Sequence, residues 1–111
     1  MLSTFDPPYY AVIFSSVRRE ADTAYDEMTL HMAQRTQAMP GYLGAESYRL
    51  PDGSGVTISY WRTLEDVQYW RSDMQHRAAQ DQGRAQWYSS YRIRVCRVAY
   101  DYGFDEAGQL L

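Results

Sequence analysis

The stretch "GYLGAESYRLPDGSGVTISYWR" spans Gly41 to Arg62. Two β-prone segments, Gly41–Leu50 and Gly55–Arg62, flank the turn residues "PDGSG", a pattern that predicts a β-hairpin. In the second segment Val56, Ile58 and Tyr60 alternate with Thr57, Ser59 and Trp61, so the two faces of that strand differ. On its N-terminal side lies a helical pattern, Ala21 to Met39. There Ala21, Ala24, Tyr25, Met28, Met32, Thr36 and Met39 recur at three- and four-residue steps, and Pro40-Gly41 ends the run. The spacing favours core packing for the Met stripe over a soft ligand surface, with His31 at its boundary. On the C-terminal side Thr63 is placed to cap a second helix, with Asp66 three residues on. Leu64, Val67, Trp70, Met74 and Ala78 form that helix's apolar stripe, and Gly83 is placed to break or end it.

The outer elements are strands. "YYAVIFSSVR", Tyr9–Arg18, follows Pro7-Pro8 and is apolar on both sides, which predicts a central strand. "RIRVCRVAYDYGF", Arg92–Phe104, is the last predicted strand, and 105–111 reads as a polar, poorly ordered tail. The order β-α-β-β-α-β predicts an α+β, ferredoxin-like protomer over residues 8–104, with a four-stranded antiparallel sheet. Two helices on one face leave the other face bare and apolar. The cheapest cover is a second copy, so a homodimer is expected.

Bulk properties narrow the partners. A length of 111 residues allows one core. The net charge of −3 argues against nucleic acid. All eleven basic residues are Arg, which removes lysine Schiff-base chemistry. Cys96 is the only cysteine, so no intrachain disulfide forms, and its apolar neighbours predict a small core residue. No signal peptide or membrane-length apolar run is visible, so a cytoplasmic location is expected. His31, His76 and Cys96 lack metal-ligand spacing. Nucleotide-binding and hydrolase motifs are missing too. The unusual figure is the eleven tyrosines, rings suited to pockets and subunit interfaces.

Candidate site residues cluster on and after the second helix. His76 has the side chain suited to accept a proton near neutrality; its bland alternative is a surface histidine bonded to Asp73 or Gln80. Within "QDQGRAQWYSSY", Gln80–Tyr91, Arg84 would clamp a phenolate or carboxylate while Trp87 or Tyr91 stacks on a ring. Alternatively Gly83 turns the chain there, and Trp87 and Tyr88 cement a corner or the dimer. Trp61 and Trp70 are candidates for pocket walls, Trp70 also for the core. Glu65, Asp66 and Asp73 read as solvated helix charge, and Arg92, Arg94 and Arg97 as edge or interface residues.

The element order together with "ISYWRTLEDVQYW", "HRAAQDQGRAQWYSSYRIRV" and the closing "YDYGF" resembles the antibiotic biosynthesis monooxygenase family, over about residues 8–104. The resemblance implies a dimeric α/β barrel with a pocket between each protomer's sheet and helices. It implies a cofactor-independent monooxygenase acting on an aromatic, quinol-type molecule that is deprotonated and itself reduces O₂. His76 would then be base or proton shuttle, Arg84 the anion clamp, and Trp61, Trp70, Gln80, Trp87 and Tyr91 the lining. A second branch of the family binds and degrades haem, with an Asn on the first strand, a helix Trp and a His ten residues further on. Trp70 matches the helix Trp, but Gln80 stands at the His position and "AVIFSS" offers no Asn. Haem is therefore the lesser alternative, and a non-catalytic dimeric module for a small ligand is the third.

Overall fold

The computed structural model describes residues 5–19, 23–80 and 88–110, apart from the side chains of 23–26, 28 and 75–80. Its elements are β1 (Tyr9–Arg18), α1 (Thr23–Gln37), β2 (Tyr42–Arg49), β3 (Ser54–Trp61), α2 (Leu64–Gln80) and β4 (Tyr88–Val98). The four strands form one sheet in the order β2-β3-β1-β4, and each neighbouring pair is antiparallel. This is the ferredoxin-like arrangement that the alternation of strand and helix patterns predicts.

The hairpin forms around the predicted turn. Asp52 Oδ1 accepts from the Ser54 amide at 2.9 Å and from its hydroxyl at 2.6 Å, while Gly53 takes a φ of +93°. That left-handed residue suits glycine, and its carbonyl also accepts from the Arg18 amide at 2.9 Å, tying the turn to the end of β1. Thr63 caps α2 as expected: its Oγ1 accepts from the Asp66 amide at 3.1 Å. The Asp66 carboxylate folds back onto the Thr63 hydroxyl at 2.8 Å. It rests where a Cβ at Gly41 would stand, 2.0 Å from that position. Gly41, at φ +78°, thus both turns the chain from α1 into β2 and makes room for the cap of α2.

Both helices pack on one face of the sheet. Val12, Trp61 and Val67 form the fully buried centre, with Tyr10, Met39, Tyr42 and Trp70 packed around it. These residues gather where β3 ends and α2 begins. Arg35 of α1 grips both carboxylate oxygens of Asp73 in α2 with Nε, at 2.6 Å, and Nη2, at 2.5 Å. Asp73 is therefore an interhelical anchor and Asp66 a half-buried cap, not the solvated charges their helix positions suggest. Glu65 alone of the three is exposed.

Two further expectations are corrected. Cys96 is exposed, because it lies on the face that no helix covers, opposite Ala11. The last strand runs from Tyr88 to Val98 and not from Arg92 to Phe104. Ser90 and Tyr91 pair with Val17 and Ser16, extending the strand backwards; beyond Val98, which faces Tyr9, β1 has no further residue to pair. Residues 99–110 leave the sheet and make a turn in which Asp105 Oδ1 accepts from the amides of Ala107 and Gln109.

Candidate functional site

The pleat sorts the sheet residues cleanly between two faces. Val12 and Trp61 look toward the helices. By register Phe14 and Ser16 of β1, Thr57 and Gly55 of β3, Ser47 and Arg49 of β2, and Tyr91, Ile93 and Val95 of β4 look the same way. The helix face divides along its length. At the Trp61 end it is packed solid: Trp61 is 0 % exposed and donates its indole N–H to Ser59 Oγ at 2.9 Å. Trp70 lies against it, ring centroids 5.5 Å apart, and donates to Thr36 Oγ1 at 3.2 Å.

Toward the Arg18 end the same face is open. Phe14 sits 5.4 Å from the Tyr88 ring and 5.6 Å from the Tyr91 ring, while Tyr91, Ile93 and Val95 are exposed. Across from this aromatic side, Ser47 and Thr57 share a hydroxyl hydrogen bond of 2.7 Å. The Arg49 guanidinium reaches over β3 to the Ser16 hydroxyl, Nη2 to Oγ at 2.8 Å, and also donates to the Gly53 carbonyl. The resulting floor has rings on one side and hydroxyls and a cation on the other. It offers stacking area and hydrogen-bond donors, the two things an aromatic anion needs.

Of the residues singled out from sequence, Tyr91 is on this floor, and Trp61 and Trp70 close its far end from within the core. His76 and Gln80 lie on the last turns of α2. That helix follows the Trp61 end of β3, and the chain rejoins the sheet at the Arg18 end of β1. Their side chains, and Arg84 and Trp87 altogether, lie outside the described residues. Sequence reasoning missed Phe14, Ser16 and Arg49. The signal for Arg49 was there, since the hairpin register sets it opposite Gly55, the one position whose missing side chain lets a long arm cross the strand.

The opposite, open face carries Ala11, Ile13, Val56 and Ile58, with a knot of rings at one end. Phe5, Tyr9 and Tyr60 have mutual centroid distances of 5.4, 5.5 and 5.9 Å. Tyr9 donates to Asp101, and burial followed by that bond pushes its phenol up to about 12. Tyr60 and Tyr48 both donate to Glu46, at 2.5 and 2.8 Å, which holds the Glu46 carboxyl below its usual range. Burial and the same bond raise the Tyr60 phenol. These phenols stay protonated at neutral pH, so the knot is structural and not a proton relay. Among the described residues no three His, Cys, Asp or Glu side chains converge as a metal site, and no helix is long and apolar enough to cross a membrane.

Residues 8–82 match the model of the antibiotic biosynthesis monooxygenase family. The chain belongs to that family. Among curated proteins, this antibiotic biosynthesis monooxygenase family member is 48 % identical to the uncharacterized protein YqjZ of Bacillus subtilis over 95 residues, 86 % of this chain and 83 % of the relative. Among solved structures it resembles SnoaB, a cofactor-independent oxygenase of Streptomyces nogalater, with a TM-score of 0.67 and 12 % identity, covering 86 % of this chain and 97 % of that one. It also resembles the heme-degrading protein Rv3592 of Mycobacterium tuberculosis, with a TM-score of 0.54 and 18 % identity over 87 % of this chain and 99 % of that one. At such identities the likeness to the two solved structures is one of fold.

Proposed function

We propose that the chain is a cofactor-independent monooxygenase of the cytoplasm that oxidises an aromatic, quinol-type small molecule, working as a homodimer joined through its open sheet face. The observation that carries this reading is the half-open helix face, where the Phe14, Tyr88 and Tyr91 rings meet hydroxyls and a guanidinium. Membership of the monooxygenase family and the fold shared with SnoaB support it.

The chemistry asks little of the protein. A ring CH₂ flanked by aromatic carbonyl or phenol groups loses a proton to His76, leaving a delocalised anion. That anion gives one electron to O₂, and the radical pair combines into a C–O bond. The peroxide collapses when the second C–H proton leaves and the O–O bond breaks. The net change is R₂CH₂ + O₂ → R₂C=O + H₂O, with both oxygen atoms reduced by substrate electrons. The site's tasks are to lower the cost of the anion and to keep water away from it.

Oxygen uptake after aerating an anaerobic enzyme–quinol mixture is the direct test. His76→Ala should lower the rate by about 10²-fold or more with the dimer intact; an unchanged rate removes His76 from the chemistry. Haem is the rival ligand suggested by Rv3592. Gln80 and the first strand do not supply the His and Asn of the haem-degrading pattern, so a haem titration should leave the Soret band that of free haem.

A further inference from the structure

Arg49, at the end of β2, supplies the cation of the floor. Its guanidinium is only half-buried and is held by two neutral acceptors, the Ser16 hydroxyl and the Gly53 carbonyl. Among the described residues no carboxylate pairs with it; the ion pair there is Arg35–Asp73. Gly55 makes this pose available, because a Cβ at that position would stand 2.9 Å from the Arg49 Cζ. Ser16, 5 % exposed, anchors the far end of the fork beside Tyr91, its partner in the β1–β4 register. A guanidinium has five N–H donors. Two acceptors leave three of them for a further ligand.

A role confined to bracing the hairpin turn does not require this arrangement. The turn already closes through Asp52 and the Leu50–Gly53 and Leu50–Ser54 backbone bonds, and while Nη1 stays on the Gly53 carbonyl, Nη2 reaches across β3 to Ser16, a contact the turn does not need. We infer that Arg49 is the anion-binding residue of the candidate site. It takes the ionised oxygen of an aromatic enol or phenol whose ring stacks on Phe14 and Tyr91. The inference rests on the proposed substrate class, and it names a group from the hairpin where the sequence pointed to Arg84.

The test separates binding from turnover by using ligands that are already oxidised. The probes are 2-hydroxy-1,4-naphthoquinone, an enolate at neutral pH, and 2-methyl-1,4-naphthoquinone, a neutral molecule of the same ring size. Calorimetric titration at low salt should show the enolate bound more tightly by about tenfold or more. In Arg49→Gln that ratio should fall to near one, with the neutral quinone's affinity within about twofold of the parent. Ser16→Ala, which frees the guanidinium without removing it, should give an intermediate ratio. Arg49→Lys should keep part of the preference and restore it no further. An unchanged ratio in Arg49→Gln overturns the assignment, as does equal weakening of both ligands or failure of the parent to bind either. Preferential enolate binding without oxygen uptake on any quinol would instead remove the oxygenase reading and leave Arg49 as the anion group.

Discussion

Trp61 shows how one side chain serves both the fold and the site. It is wholly enclosed, its ring stands at 90° to that of Tyr42, and its N–H is satisfied by Ser59, itself 6 % exposed. Trp61→Ala should cost about 3–5 kcal/mol in a urea unfolding series, from lost burial and the cavity left behind. Trp61→Phe should cost less, with its loss shared between volume and the orphaned Ser59 hydroxyl. Tyr9 makes a different prediction. Its phenol is raised from 10.0 to about 12 by burial and then by Asp101. A raised folded value means the unfolded chain ionises first. The stabilisation is therefore complete below pH 10 and is lost as pH climbs through 12. Urea midpoints followed from pH 9 to 12 should fall less steeply in Tyr9→Phe than in the parent. An identical slope would show that the Tyr9 phenol is not raised in the folded chain.

The hairpin and the second helix are the elements that announce themselves. Asp52-Gly53, the alternation in β3 and Thr63 each act through neighbours in sequence, so local chemistry states their conformation in advance. Thr63→Ala should accordingly lower stability by about 1 kcal/mol, and Thr63→Ser should restore most of it. Where a position's role depends on a distant strand or helix, sequence was silent or misleading. Asp73 looked solvated because its partner, Arg35, is 38 residues away on another helix. Cys96 looked buried because its apolar neighbours were visible and the missing cover over its face was not. The bounds of β4 are set by the length of β1, which it must match, and not by its own β-propensity. The candidate site follows the same rule: helix-borne Trp70 and His76 were visible as a pattern, whereas Phe14, Ser16 and Arg49 come together only through strand register.

The whole molecule is too open for its size. A chain of 111 residues folded as a rounded domain has a radius of gyration of about 13 Å, whereas this chain reaches 15.2 Å and is only 21 Å thick. The helices cover one face of the sheet, while Ile13, Val56 and Ile58 on the other remain only half-buried. A second copy laid sheet to sheet, as proposed, would bury them, and the exposed Cys96 on the same face reports whether it does so. The expected sedimenting species has twice the 13.0 kDa chain mass. Ile58→Arg puts a charge at the middle of the face, where any two-fold packing must desolvate it, and should yield monomer. If the proposed partner sheet shields Cys96 in the parent, the thiol should react with a thiol-selective disulfide reagent at least about tenfold faster in that variant. Equal reactivity in a parent that sediments as a dimer would mean that the copies meet elsewhere. The bare β-face would then have to be explained by a different occupant.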